Sequence, residues 1–238
     1  MRTNPRAVLP SETTSLLDVG CNIGSFLQHS AAAFPGLKLS GAEVNRQAFE
    51  SARDSLPESD IRLVDGPDLP FPDAQFDCVT SFDVLEHVPA EQRRTAIREM
   101  ARVLKPSGTI VIKTPHAGAF QWLDSNNLRF RFPTLYRMLI GKGRRDSGYD
   151  ETGHNVVWHH HFTRLELAEL CSPWLTLTGV EYGGLWIEPL SDLLRWPFYR
   201  TGRANHSGCL ALERACVRDI EVDYGEKSSS ILCRFRKP

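Results

Sequence analysis

A charge excess of either sign is absent from this chain. Its 238 residues hold 28 Lys and Arg against 29 Asp and Glu, a net charge of −1. That balance gives no overall electrostatic case for nucleic acid, and none is expected as a partner. Cys-x-x-Cys pairs are also absent. Cys21, Cys78, Cys171, Cys209, Cys216 and Cys233 are scattered. Their spacing argues against a disulfide framework or a zinc site and favours buried thiols in a reducing cytosol. The first residues lack the apolar stretch of a signal peptide, and no apolar run is long enough to span a bilayer, so a cytoplasmic setting is expected. There is no internal repeat and no low-complexity tract. The phosphate-cradling spacing Gly-x-Gly-x-x-Gly is missing as well. What is present is ordinary for a globular chain: 41% hydrophobic and 24% charged residues, enough for a real core. Residues 1–238 are expected to form a single domain.

The first half alternates strand and helix patterns. Strands are expected at Ser15–Val19, Leu37–Val44, Ile61–Val64, Phe76–Ser81 and Thr109–Lys113. Helices are expected at Ser25–Ala33, Gln47–Ser55 and Glu91–Leu104. In the last of these, Ile97, Met100, Ala101 and Leu104 fall at helical spacing, and Lys105-Pro106-Ser107-Gly108 should stop it. This rhythm implies an α/β fold, a parallel sheet covered on both faces. After Pro115 the rhythm breaks. Residues 116–161 read as an insertion forming a lid over the acceptor site. A capping box, Thr163-x-x-Glu166, then restarts a helix. Leu175–Tyr182 alternates like a strand, Leu185–Tyr199 is strongly apolar, and Ser229–Arg236 reads as the last strand, suited to antiparallel insertion into the sheet.

Leu16-Leu17-Asp18-Val19-Gly20-Cys21-Asn22-Ile23-Gly24-Ser25-Phe26 reads as a strand, a tight turn and a helix start. Glycines there let a ligand lie against bare backbone beside unpaired helix N–H groups. Asp18 would repel a pyrophosphate but suits a cation. S-adenosylmethionine carries an ammonium and a sulfonium and has no phosphate. Glu43 closes the second strand, where its carboxylate can accept from both ribose hydroxyls. Asp65-Gly66 follows the third strand, where a carboxylate and a backbone N–H can meet adenine. Ser81 and Phe82 end the fourth, near the methionine end. The expected cofactor-binding set is Asp18, Gly20, Cys21, Asn22, Gly24, Glu43, Val44, Asp65, Gly66, Ser81 and Phe82.

These pieces, with Val-Leu-Glu-His-Val at 84–88 and Arg-Val-Leu-Lys-Pro-Ser-Gly at 102–108, resemble the class I S-adenosylmethionine-dependent methyltransferases. The resemblance covers the first half of the chain, in the family's order. It implies a Rossmann-like three-layer sandwich with a seven-stranded, mostly parallel sheet whose last strand is antiparallel. It also implies S-adenosylmethionine as donor and S-adenosylhomocysteine as product. Two departures stand out: Asn22 replaces the middle glycine usual in the family, and Ser107 one glycine of its Pro-Gly-Gly turn.

The second half should select the acceptor. A small molecule is expected there, with oxygen the preferred atom and carbon or nitrogen next. The setting is natural-product, quinone, lipid or sugar metabolism. A hydroxyl acceptor must lose a proton, so a base is needed. His159 and His161, which point the same way if extended, and His116 are the candidates; His154 is a further one. Asp83, Glu86 and His87 would share a face of a helical turn, similar to an element of quinone-pathway O-methyltransferases where a divalent metal helps orient the substrate. Packing or capping of the next helix is the preferred reading over a metal. Arg129, Arg131, Arg137, Lys142, Arg144 and Arg145, interleaved with Phe130, Phe132 and Tyr136, suit an anionic acceptor, a membrane surface or simply a solvated face. Trp186, Leu190, Leu193, Leu194 and Trp196 suit an apolar acceptor pocket or a core helix. Two alternatives to an enzyme of this kind are a non-catalytic scaffold that keeps the cofactor fold and an NAD-linked dehydrogenase.

Overall fold

The computed structural model describes residues 4–124, 159–185 and 206–238, with isolated positions at 127, 130–132, 134, 187, 194, 195, 197, 198, 201 and 202. Strands β1 (Ser15–Val19), β2 (Lys38–Glu43), β3 (Asp60–Leu63), β4 (Phe76–Phe82), β5 (Leu104–Pro115), β6 (Thr176–Gly183) and β7 (Ser230–Arg236) form one sheet in the order β3-β2-β1-β4-β5-β7-β6. The first five run parallel, and β7 lies antiparallel between β5 and β6. Among the described residues the helices are a single turn α1 (Pro5–Val8), α2 (Ser25–Ala33), α3 (Arg46–Ser55), α4 (Ala90–Val103), α5 (Arg164–Cys171) and α6 (Ser207–Ile220).

Alternation along the strands builds two cores. Leu16, Cys78, Val111 and Leu232 face α1, α2 and α3 through Val8, Leu27 and Ala52. Leu17, Val79, Ile110, Ile112, Ile231, Cys233 and Phe235 face α4 and α5 through Ile97, Met100, Leu167 and Cys171. The result is the expected three-layer sandwich. All six cysteines are buried.

Several boundaries move, each for a local reason. Helix α4 ends at Val103, and β5 begins at Leu104, five residues before the expected start. Phe76 pairs with Leu104 and Cys78 with Thr109, so two steps along β4 answer five along β5. The Lys-Pro-Ser-Gly turn is thus a bulge carried inside the strand, with Ser107 in the left-handed region at φ 60°. Helix α6 lies downstream of every helix expected from the sequence. Its buried face is made of Cys209, Cys216, Asp219 and Ile220, so it does not read as an aliphatic stripe.

The ends of the 116–161 segment are pinned together. His116 bridges Phe162 in parallel, Phe162 N–H donates to the Pro115 carbonyl at 2.9 Å, and Ala117 N–H donates to the Phe162 carbonyl at 3.0 Å. Arg129, Tyr136, Arg137, Lys142, Arg144, Arg145, His154, Trp186, Leu190, Leu193 and Trp196 lie outside the described residues. Leu194 is described and is 37% exposed, not sealed in a core.

Candidate functional site

The chain leaves β1 toward β2 on one side and later returns to β4 on the other. That reversal opens a crevice at the C-terminal ends of β1 and β4, the usual ligand position in open α/β sheets. Asp18 sits there, opposite Thr80 in the β1–β4 register. Its carboxyl is 3% exposed and accepts from Thr80 Oγ1 at 2.7 Å. Burial, reinforced by the nearby Glu43 charge and only partly offset by Thr80, pushes its pKa up to about 7.

The turn after β1 has the geometry its glycines require. Gly20 has φ 76°, and a Cβ there would lie 2.4 Å from Val84 Cγ2. Gly24, at φ 79°, caps α2. Asn22 occupies the left-handed region at φ 49°, and its Oδ1 accepts from Ile23 N–H at 2.8 Å. Asn22 and Ser107, the two departures from the family pattern, therefore both stand where a glycine would cost least. The Cys21 thiol is held protonated by burial and by the Asp18 and Glu43 carboxylates.

Glu43 closes β2 and is 1% exposed. Its Oε2 accepts from Asn22 N–H at 2.7 Å, and its Oε1 accepts from Val44 and Asn45 N–H at 2.9 and 2.8 Å. Three of about four acceptor positions are thus taken by backbone. The carboxylate straps the β1 turn to the β2 turn as well as facing the crevice edge. Asp65 and Gly66 are exposed beyond β3, and Gly66 has φ 137° with open space where a Cβ would project. Ser81 is 1% exposed, and its Oγ has no hydrogen-bond partner among the described residues. Phe82 packs edge-on against Phe26 at 4.9 Å.

A second cluster lies past β4 and β5. The Asp124 carboxylate, 6% exposed, receives His161 Nε2 at 3.2 Å and His159 Nδ1 at 3.5 Å. His160 turns the other way, to Glu166 Oε1 at 2.5 Å, as alternation in an extended segment requires. Glu166 N–H does bond Thr163 Oγ1 at 3.1 Å, so half of the expected capping box forms while the glutamate itself serves His160. Asn127 clamps the His159 backbone in both directions, each bond 2.9 Å. The His159 ring meets the His87 ring edge-on at 4.6 Å. His116 Nδ1 lies 3.0 Å from the Ser228 carbonyl. A carbonyl only accepts, so Nδ1 carries the proton and Nε2 keeps its lone pair. Burial outweighs that bond and lowers the His116 pKa, keeping the ring neutral. Asp124 and Asn127 were not singled out in the sequence. A polar pair flanked by aromatics inside a long connection was their sole signal.

The expectation for Asp83, Glu86 and His87 needs correction. The segment is a turn, closed by His87 N–H donating to the Val84 carbonyl at 2.9 Å, and not a helix. Asp83, at φ 56°, points outward to Lys113 Nζ at 2.6 Å, whereas Glu86 is 2% exposed. The three do not share a face. Burial first, then the Asp83 charge, raises the Glu86 pKa well above the usual carboxylate range. Among the described residues, no three His, Cys, Asp or Glu side chains gather as metal ligands.

Comparison with known proteins fits this geometry. Residues 17–112 match the model of a methyltransferase domain. The chain is 35% identical over 103 residues to 27-O-demethylrifamycin SV methyltransferase of Amycolatopsis mediterranei, covering 41% of this chain and 37% of that protein. It is 33% identical over 103 residues to ajmaline N-methyltransferase of Rauvolfia serpentina, covering 41% and 35%. The alignments thus span little more than a third of these relatives. A SAM-dependent methyltransferase structure from Methanosarcina mazei superposes with a TM-score of 0.60 at 20% identity, covering 98% of this chain and 95% of that one. The motif order, the sheet order with its antiparallel β7 and the methyltransferase-domain match over residues 17–112 all agree with the resemblance to the class I S-adenosylmethionine-dependent methyltransferases.

Proposed function

We propose that this chain transfers a methyl group from S-adenosylmethionine to a hydroxyl of a small-molecule acceptor. The observation that carries the oxygen assignment is the Asp124 carboxylate with His161 and His159 on it, beyond the same sheet edge that bears Asp18 and Glu43. When bound, the donor supplies a methyl already activated by its positive sulfur. The residues fit such a donor. Asp18 offers a buried carboxyl to its ammonium. The Glu43 carboxylate at the end of β2, the exposed Asp65 and the Ser81 hydroxyl offer places for its hydroxyl and amino groups.

The chain's own part is alignment and proton removal. Asp124 accepts Nε2–H of His161, which leaves Nδ1 of that ring as the basic atom for the acceptor hydroxyl. His159 braces the same carboxylate, and His116 holds a neutral ring nearby. The segment 116–161, pinned at both ends, is proposed as the lid over the acceptor, and the whole chain as one catalytic unit.

The test is release of S-adenosylhomocysteine from S-adenosylmethionine across a panel of hydroxylated and amine acceptors. His161→Ala should lower turnover on the accepted hydroxyl compound by about 100-fold or more while leaving donor affinity within about threefold. Equal turnover removes His161 as base. The scaffold alternative expects donor binding and no turnover with any acceptor. An NAD-linked reading expects a melting shift with NADH and little harm from Asp18→Ala; the methyltransferase-domain match over residues 17–112 and the acid at the turn both weigh against it.

A further inference from the structure

We propose that Glu86 recognises the acceptor, its Oε2 donating a hydrogen bond to an uncharged carbonyl or ether oxygen of the small molecule to be methylated. The nature of the ligand rests on the methyl-transfer function proposed above. Glu86 is 2% exposed, and its Oε2 has no hydrogen-bond partner among the described residues. A structural duty would give it one. Helix α4 follows Pro89 with no side-chain cap, so the capping expected of this segment is not supplied by Glu86. No described cation pairs with it either. Lys113 Nζ goes to Asp83 at 2.6 Å, and Arg93 Nε donates to the Val88 carbonyl at 3.0 Å. A buried polar atom left in this way costs stability, and folds keep such atoms where function uses them.

The surroundings of Glu86 indicate what completes it. The next residue, His87, meets the His159 ring edge-on at 4.6 Å, and His159 Nδ1 lies 3.5 Å from Asp124. Ser81 Oγ in β4 and Thr114 Oγ1 in β5 are likewise buried without hydrogen-bond partners among the described residues. Ser81 pairs with Ile112, and Thr114 lies two positions further along β5, so both hydroxyls leave the sheet on one face. Polar groups lacking partners thus collect at the C-terminal ends of β4 and β5, beside the proposed base. The carboxyl's chemistry then selects the ligand. Burial first, then the Asp83 charge, favours its protonated form; Asp124 adds to this and Lys113 offsets only part of it. A protonated carboxyl has an O–H to give. An ammonium has no lone pair to accept it, and an anion would be repelled by the Asp124 and Asp83 carboxylates. An uncharged oxygen meets neither objection.

The decisive readouts use the full chain and need no turnover, so a chain that behaves as stated yet methylates nothing fails the proposed function and not this site. Removing an unpartnered buried carboxyl should help the fold, so Glu86→Met should raise the melting midpoint of the free chain by about 3 °C. The infrared difference between the wild type and Glu86→Gln at neutral pH should show the C=O stretch of a protonated carboxyl. Binding is then measured by calorimetry in saturating S-adenosylhomocysteine. The probes are ortho-, meta- and para-hydroxyacetophenone, each set against the isopropylphenol of the same substitution, which keeps the shape and lacks the carbonyl. The wild type should bind at least one ketone about tenfold more tightly than its partner. Glu86→Gln, whose amide still donates, should keep most of that preference, and Glu86→Met should reduce it to about twofold or less. Where that ketone is methylated, Glu86→Met should raise its KM about tenfold and leave kcat within about threefold. A lower melting midpoint in Glu86→Met, no protonated-carboxyl band, absent or equal binding in all three pairs, or a preference that survives Glu86→Met each overturns the proposal.

Discussion

Asp18 couples function to pH at the scale of a single residue. Unfolded, it ionises near 3.8; folded, it keeps its proton to about 7. Between those values the folded state binds more protons, so stability falls as pH rises, by about 4 kcal/mol in all once pH exceeds 7. Asp18→Asn removes this penalty, and its Oδ1 can still accept from Thr80. Thermal melting should therefore show Asp18→Asn more stable than the wild type by roughly 10 °C at pH 8 and nearly equal at about pH 3. The same change should weaken S-adenosylhomocysteine binding, because the ligand's ammonium favours the ionised carboxyl. For the wild type, titration calorimetry should find affinity rising as pH climbs toward 7, with a proton released on binding below that point. A flat profile would separate Asp18 from the ligand. Asp124 gives a second test at this scale. Asp124→Asn should cut turnover on a hydroxyl acceptor and shift its pH profile, while an acceptor that needs no deprotonation should be spared. Asp18, Glu43 and the histidines could be picked out from the sequence because each stands at a strand end or in a short run. Asp124 could not, since its partners lie 35 and 37 positions away and that pairing exists only once the segment ends are pinned.

Among the elements, the N-terminal edge of the sheet shows how one acid ties three of them. Asp77, at the start of β4, accepts from Thr14 N–H at 3.0 Å, Ser15 N–H at 2.9 Å and Lys105 Nζ at 2.7 Å. Burial alone would raise its pKa, but these donors outweigh it and hold the carboxylate well below the usual range. The stabilisation is present above about pH 4 and is lost as pH falls below that value. Asp77→Ala should cost about 2–3 kcal/mol in denaturant unfolding at pH 7, and less at pH 3. At the opposite edge Asn45 caps α3, accepting from Ala48 N–H at 2.9 Å; Asn45→Ala should cost about 1 kcal/mol. Periodicity revealed β1, β4 and α4 because their buried positions are aliphatic. It failed for α6, whose face is carried by two cysteines and an aspartate. It also misplaced the start of β5, because a Pro-Ser-Gly turn normally ends pairing and here bulges out while pairing resumes at Thr109.

For the whole molecule, the seven-stranded sheet and its crevice were legible from the order of motifs, and the acceptor side was not. Saturating S-adenosylhomocysteine, at about 100 times its dissociation constant, should stabilise the fold by about 2.7 kcal/mol and raise the melting midpoint by several degrees. No shift would overturn donor binding. The sheet's strand order has a consequence for synthesis. Of the seven described strands β7 is the last to leave the ribosome, yet it pairs with β5 on one side and β6 on the other, joining Thr109 to Arg236. Until it emerges, the nascent chain shows a bare β5 border and a β6 with no neighbour in the sheet. Such a precursor would be a natural client for holding chaperones.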